Sequence, residues 1–145
     1  MELLPNFLQK QGYKRIKFKI SKTNHLLVKA KVNGVSGVFI LDTGASNSCV
    51  GFECVERFQL LAIDSSTQAS GAGGIGMQTQ LAQNNTLQIG RWHSKDFHLV
   101  IFDLSHVNTA LLQHKASIVH GIIGADVLIQ SEAIVDYYHQ LLYLK

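Results

Sequence analysis

The stretch VFILDTGAS, residues 38–46, passes from four apolar residues directly into an acidic residue that opens a turn. The apolar run predicts a buried strand, and Asp42-Thr43-Gly44 predicts the sharp turn that ends it. A carboxylate delivered at the end of a buried strand costs free energy unless it is hydrogen-bonded or functional. Asp42 is therefore either a turn-forming residue or a reactive group, and its surroundings must distinguish the two.

Size and composition limit the class of protein. The chain has 145 residues, of which 46% are hydrophobic and one is proline, and this predicts a single globular domain. Its formal net charge of +3 is small and spread along the sequence, which argues against a nucleic-acid partner. Apolar runs of only about four or five residues are too short to span a bilayer. Residues 1–24 lack the pattern of a signal peptide, so we expect a cytoplasmic location.

Metal and cofactor motifs are weak in this sequence. Cys49 and Cys54 lie five apart without histidine or further cysteine at zinc spacing, which favours structural thiols over a disulfide or metal site. None of the seven histidines forms a metal-binding helix pair. Ser46 and Ser48 lack the closing glycine of a nucleophile elbow. We therefore expect no metal and no cofactor.

A glycine fingerprint is present but lies in the wrong context. Gly71, Gly73 and Gly76 match the G-x-G-x-x-G pattern of dinucleotide-binding proteins. That pattern works only between a strand and a helix, whose N-terminus meets the pyrophosphate. Here a polar segment precedes the glycines and an alternating strand pattern follows them. The glycines therefore predict the tip of a mobile hairpin.

Short strands dominate the first third of the chain. Residues 13–20 alternate as a half-buried edge strand with basic side chains facing outward. Asn33-Gly34 predicts a hairpin that joins the strands 26–32 and 35–41. Residues 1–12 are weakly patterned and form either a short helix or an arm.

Beyond residue 46 the pattern changes period several times. Helical spacing over residues 52–61 predicts one short helix, the polar stretch 64–76 predicts a loop, and Asn84-Asn85 predicts a turn. Further strands are predicted at residues 77–81, 86–89, 97–102, 118–123, 134–138 and 141–144. Helical turns at 109–114 and 127–130 complete a mainly β chain with one or two short helices.

Three motifs in combination set Asp42 apart from an ordinary turn. The Asp-Thr-Gly turn follows a buried strand, the glycine-rich segment comes about thirty residues later, and Ile122-Ile123-Gly124 comes about eighty residues later. With these motifs the chain resembles the retropepsin-like aspartic proteases, the single-domain relatives of pepsin. The resemblance covers residues 26–144.

The resemblance implies a closed, barrel-like acid protease fold over residues 25–145, with residues 1–24 as an N-terminal arm and first strand. It implies a catalytic loop with the catalytic positions Asp42, Thr43 and Gly44. In that loop Asp42 is the catalytic carboxylate, and Thr43 braces the loop across a dimer. The substrate-binding positions implied in that loop and in a flap are Ala45, Ser46, Gly71, Gly73, Gly74, Ile75 and Gly76. The positions implied to support the catalytic loop are Ile122, Ile123, Gly124 and Asp126.

The chemistry of this family needs more than one copy of Asp42. Peptide hydrolysis by this route uses two carboxyl groups that share a proton, one activating a water and the other donating to the carbonyl oxygen. The chain contains one Asp-Thr-Gly, and Asp126 is better suited to hydrogen bonding or helix capping. A twofold homodimer supplies the second carboxyl at its axis. We therefore predict a homodimeric aspartic endopeptidase.

Two further expectations concern what the site acts on and at what pH. The substrate is a peptide or protein, and the alternative is a non-catalytic module of the same fold that binds a peptide or protein. Ala45, which follows Gly44, has no hydroxyl that could hydrogen-bond the carboxylate and favour its charged form. We therefore predict a mildly acidic to neutral optimum for activity.

Overall fold

The computed structural model of the chain describes residues 1–71 and 74–145, with side chains for residues 1–64 and 78–145. Within these residues the chain forms eleven strands, three short α-helices and one 3₁₀ turn. In chain order these elements are α1 (Leu4–Lys10), β1 (Lys14–Lys17), β2 (Lys19–Ile20), β3 (Leu26–Val32), β4 (Val35–Leu41), β5 (Cys49–Gly51), the 3₁₀ turn (Phe52–Cys54), β6 (Ala62–Gly71), β7 (Gly74–Ile89), β8 (Trp92–Phe102), α2 (Ser105–Gln113), β9 (Gly121–Ile123), α3 (Ala125–Gln130), β10 (Ile134–Asp136) and β11 (Leu141–Leu144).

Six of the strands close into a barrel. The larger sheet has the order β2-β3-β4-β9-β5-β8-β7-β6, and an additional pairing joins β3 to β7, the strands next to its two ends. This pairing places Lys31 opposite Gln88 and Val32 opposite Leu87, so that β3, β4, β9, β5, β8 and β7 form a ring. Closure leaves no unpaired edge in the ring. The predicted mainly β, barrel-like fold is confirmed.

The hairpin of β3 and β4 forms as the sequence predicts. Asn33 and Gly34 have φ angles of 51° and 81°, which are the positive values that a two-residue primed turn requires. The two strands pair in register from Val32 opposite Val35 to Leu26 opposite Leu41. This register carries the chain directly to Asp42.

Residues 38–41 read as a continuous apolar run because β4 buries both of its faces. Phe39 and Leu41 point into the barrel, where they pack with Val28, Val50 and other buried side chains. Ile40 points the other way, into a second cluster that packs the barrel against α2. That second cluster consists of Ile40, Cys49, Phe102, Leu104, Leu111, Val119 and Ile122.

A smaller sheet covers one side of the barrel and combines strands from near both ends of the chain. Its order is β1-β11-β10, and all of its pairings are antiparallel. The predicted strand 13–20 is split at Phe18, where the chain turns from this sheet to the barrel. The Phe18 side chain is buried, and its backbone N–H donates to the carbonyl of Gln140. Both halves lie at sheet edges, as predicted.

Two predictions for the glycine-rich region and its surroundings are wrong. The sequence predicts a loop over residues 64–76, yet β6 and β7 pair antiparallel from Ala62 opposite Ala82 to Gly71 opposite Gly74. Two strands of a long hairpin can pair through their backbones without alternating apolar residues, so the composition of this stretch did not indicate the strands. The expected turn at Asn84-Asn85 is a shift of register within β7, and the Asn85 side chain is buried there.

The predicted helix over residues 52–61 is also wrong. The structure has a single 3₁₀ turn at Phe52–Cys54, and the chain then leaves helical geometry at Gln59, whose φ angle is 56°. The apolar residues at helical spacing lie on a series of separate turns and not on one helix. The predicted strand 118–123 is confirmed only at Gly121–Ile123. The helical turns predicted at 109–114 and 127–130 lie at the C-terminal end of α2 and within α3. No helix in the described part of the chain is long and apolar enough to cross a membrane.

Candidate active site

Asp42 lies at the end of β4, half-buried, in a tight turn that its own side chain closes. Its backbone N–H donates to the carbonyl of Ile123 at 2.9 Å, and its carbonyl accepts the N–H of Ala45 at 3.2 Å. Its Oδ1 accepts the backbone N–H of Gly44 at 2.8 Å. None of the described residues donates a hydrogen bond to Oδ2. One carboxylate oxygen is thus held by the turn, and the other is left for a further partner.

The loop that carries Asp42 is threaded around a buried central strand. β9 pairs parallel with β4, with Leu41 opposite Ile123, and antiparallel with β5, with Cys49 opposite Ile122. The chain therefore leaves β4 on one side of β9 and returns to β5 on the other side. Residues 42–48 form the connection, which we call the aspartate loop. Two of the predicted support residues, Ile122 and Ile123, belong to the strand that this loop encircles.

Gly124 lets the aspartate loop approach the end of β9 closely. A Cβ atom at this position would lie 2.6 Å from the carbonyl oxygen of Ala45 and 3.1 Å from that of Asn47. The Ala45 carbonyl accepts the N–H of Ala125 at 2.7 Å. A side chain at residue 124 would break this contact between backbones.

A buried hydrogen-bond network fixes the far end of the aspartate loop. The Ser48 side chain is fully buried, and its Oγ donates to Oδ1 of Asp126 at 2.7 Å. The Ser48 Oγ also accepts the N–H of Gly124 at 2.9 Å. The two backbone N–H groups of Ser48 and Val127 donate to Oδ2 and Oδ1 of Asp126, each at 2.9 Å. The carboxylate thus joins the loop to the first turn of α3.

Asp126 has the hydrogen-bonding role that the sequence predicts, but it is not the N-cap residue of α3. The N-cap is Gly124, which has no side chain to cap the helix. Ser48 is the anchoring residue that sequence reasoning missed. A serine that has no local motif becomes important only when the fold brings residues 78 positions apart into contact.

The other predicted residues of the aspartate loop face outward. Thr43, Gly44 and Ser46 are exposed, and Ala45 is half-buried. Thr43 makes no hydrogen bond to any other residue for which side chains are described. The loop therefore presents its tip, with the free oxygen of Asp42, to whatever lies outside this single chain.

The predicted flap residues belong to the hairpin of β6 and β7. Gly71 and Gly74 are paired across that hairpin, and Ile75 and Gly76 continue β7. Gly73 lies outside the described residues.

An open cleft of about 350 Å³ lies beside the aspartate loop. It is bounded by Asn47 from the loop, by Asp126 and Gln130 from α3, and by the strand residues His98 and Val100 of β8. Its walls mix apolar and hydrogen-bonding groups, as ligand sites commonly do.

Alternative chemistries find no support near this loop. Cys49 and Cys54 are free thiols in the core, and burial raises the pKa of Cys49 to about 12, which makes its thiol a poor nucleophile. Among the residues described, no three His, Cys, Asp or Glu side chains come close enough together to hold a metal ion.

A closed barrel with an Asp-Thr-Gly turn threaded around a central strand that is followed by glycine defines the single-lobe acid protease fold. A family model described as Aspartyl protease matches residues 28–127, and the chain belongs to that family. The match includes the aspartate loop, β9 and the start of α3.

Solved structures with the same fold come from a bacterium, a protozoan and a virus. A retropepsin-like aspartic protease from Rickettsia conorii superposes with a TM-score of 0.61 at 18% identity, covering 91% of this chain and 89% of that one. The retroviral protease-like domain of Ddi1 from Leishmania major gives 0.57 at 17% identity, over 83% and 88%. The EIAV protease complexed with the inhibitor HBY-793 gives 0.54 at 20% identity, over 81% and 98%. At these identities the likeness establishes the fold. A search of curated proteins found no match.

Proposed function

We propose that the chain is an aspartic endopeptidase whose catalytic dyad consists of Asp42 from each of two identical chains. The observation that carries this proposal is the state of the Asp42 carboxylate, which is pinned through Oδ1 and open at Oδ2. A carboxylate positioned by backbone donors needs no rearrangement before it reacts, and such preorganisation is a large part of catalysis.

The dyad would divide the chemistry between two carboxyl groups. One ionised Asp42 takes a proton from a water, which attacks the carbonyl carbon of the scissile peptide bond. The other Asp42 is protonated and donates to the carbonyl oxygen. Two carboxyl groups about 3 Å apart cannot both ionise, which is the known behaviour of aspartic protease dyads in general. The two protonation steps belong to the pair.

The homodimer is proposed from the sequence and from the exposure of the loop tip. The chain has one Asp-Thr-Gly, and a twofold axis brings identical residues together. The exposed Thr43 is then free to brace the two loops against each other. Gly44 supplies the N–H that holds Asp42, and Ile122, Ile123, Gly124 and Asp126 support the loop.

The proposed substrate is a peptide or protein that lies across the two loops. Ala45 and Ser46 would contact its backbone from below, and the flap positions Gly71, Gly73, Gly74, Ile75 and Gly76 would contact it from above. The solved EIAV protease, on which 81% of this chain superposes, is in complex with an inhibitor. The cytoplasmic location and the domain limits at residues 24 and 25 stay predictions.

The deciding experiment compares wild type with Asp42→Asn on a broad peptide library between about pH 4 and pH 8, a range that spans the usual titration of carboxyl groups. Asn retains the oxygen that accepts the Gly44 N–H but cannot ionise, so cleavage should vanish while folding and peptide binding survive. Asp103→Asn is the matched control, because Asp103 is an exposed turn carboxylate that accepts the N–H of Ser105 outside the aspartate loop. It should cleave as wild type does.

Sedimentation of the same samples tests the assembly. Cleavage activity should follow the dimer fraction as the protein is diluted. Full activity in a sample that contains only monomer would refute the shared dyad. Specific peptide binding without cleavage by wild type across this pH range would favour the non-catalytic binding module.

A further inference from the structure

A second cleft, of about 420 Å³, lies on the outer face of the barrel where β3, β4 and β7 meet. Its position along β4 is near Val38, four residues before Asp42, which corresponds to roughly 13 Å of extended strand. We call it the basic cleft. The polar and charged side chains that line it are Lys29, Lys31, Ser36, Arg57, Gln88 and His120.

The register of the barrel brings two lysines to one side of this cleft. Lys29 and Lys31 are alternate exposed residues of β3, so both project from the outer face. Lys31 pairs with Ser36 of β4 and with Gln88 of β7, which places all three side chains on that face. The Cα atoms of the two lysines are about 7 Å apart, as in any strand.

Arg57 adds a third cation from a different part of the chain. Its Nε and Nη2 donate to the carbonyl oxygen of Ser36 at 3.2 and 2.6 Å. Its guanidinium carbon lies 5.7 Å from the centre of the Phe58 ring. A guanidinium has about five N–H donors, so the bonds to Ser36 fix its orientation and leave further donors for a ligand.

His120 contributes a neutral donor. The backbone N–H of Val38 donates to its Nδ1 at 3.0 Å, so the ring proton is on Nε2. Burial, together with the positive charge of Arg57, lowers the pKa of His120, while the carboxylate of Glu53 acts in the opposite direction. The imidazole is therefore neutral at about pH 7 and keeps an N–H to offer.

No carboxylate offsets the three positive charges within the lining. Lys29, Lys31 and Arg57 form no ion pair with any residue whose side chain is described. The undescribed side chains of residues 65–77 include no Asp or Glu. The carboxylate of Glu53, which acts on His120, lies against the backbone of Gly51. Three like charges gathered without a counter-charge in the lining repel one another, and this repulsion is relieved when an anion binds.

We propose that the basic cleft binds a small polyanion of the phosphate class. Arg57 would supply the planar, oriented donors that match phosphate oxygens, and the lysines would supply point charges on either side. A concave site of this volume is in the range for small molecules. The aspartate loop takes no part in this binding.

Inorganic pyrophosphate is the probe for a titration calorimetry experiment on the full chain at about pH 7.5 and roughly 0.15 M salt, where exposed charges are well screened. Wild type should bind it saturably, with one site per chain. The double variant Lys29→Gln/Lys31→Gln should weaken binding by about tenfold or more, because it removes two charge-assisted contacts. Arg57→Lys retains the charge but loses the fixed fork, and it should also weaken binding.

The matched control is Lys17→Gln/Lys19→Gln. These two lysines are likewise exposed, two residues apart and separated by a buried residue, but they do not line the basic cleft. Binding by this control should equal that of wild type. Equal losses in the two double variants would show general attraction by net charge and would overturn the proposal. So would tight binding of polyglutamate together with no binding of pyrophosphate, because the ligand would then be an acidic polypeptide.

Discussion

Replacing Ser48 with alanine tests whether the buried network holds the aspartate loop. The change removes the donor to Asp126 and leaves the N–H of Gly124 without its acceptor. A hydrogen bond to a charged group is worth about 1.5–3 kcal/mol, and a buried unsatisfied donor costs about 1–3 kcal/mol. We expect a loss of about 3 kcal/mol in the free energy of unfolding. This value is in the lower part of the range obtained by adding the two costs, because the Asp126 carboxylate keeps its two backbone donors.

Urea unfolding followed by circular dichroism measures this loss at one fixed protein concentration, since the proposed dimer would make stability concentration-dependent. A thermal scan should show a decrease of about 10 °C in the melting temperature. Ser46→Ala is the control, because Ser46 is exposed in the same loop, and its effect should stay within about 0.5 kcal/mol. A Ser48→Ala loss no larger than that of the control would refute the argument that this network anchors the loop.

Two other predictions concern the neighbourhood of β9. Gly124→Ala should destabilise the protein by about 2 kcal/mol or more and reduce any peptidase activity, because the new Cβ would lie 2.6 Å from the Ala45 carbonyl; unchanged unfolding would show that the loop relaxes freely. Burial, and then the charge of Arg57, lowers the pKa of His120 in the folded protein. The contribution of the neutral His120 to the free energy of unfolding is therefore present above about pH 6.5 and is lost as pH falls through the lowered pKa. His120→Asn offers the Val38 N–H an acceptor oxygen that does not titrate. When urea unfolding is compared at about pH 7.5 and at about pH 5, the difference in free energy of unfolding should shift in favour of the variant at the lower pH. A difference that does not change with pH would contradict this account.

The anchoring of the aspartate loop explains how a loop can hold the Asp42 carboxylate in a fixed position. Loops are generally more mobile than the strands they connect. Here the loop is tied at its start by the Asp42 N–H to Ile123, in its middle by the Ala45 carbonyl to Ala125, and at its end by Ser48. All three ties end on β9 or on the residues that follow it. A single central segment therefore positions the whole loop.

Local signals in the sequence determined the strands around Asp42. The hairpin at Asn33-Gly34 could be predicted because a two-residue turn with positive φ angles needs these residue types, and the alternating pattern on each side sets the register. The apolar run before Asp42 predicted a buried strand, and the structure places Phe39 and Ile40 in different clusters on its two faces. The family resemblance also rested on short motifs that the chain carries without reference to its fold.

Tertiary structure alone decided the elements that have no local pattern. β6 lies in a polar, glycine-rich stretch, and its pairing with β7 depends on backbone hydrogen bonds that any composition can make. Ser48 and Asp126 are 78 residues apart, and the cations of the basic cleft come from β3 and from the segment after β5. Contacts of this kind depend on the sheet topology, which places distant parts of the chain side by side. A sequence determines which residues can form a strand or a turn, whereas the closed fold determines which side chains meet.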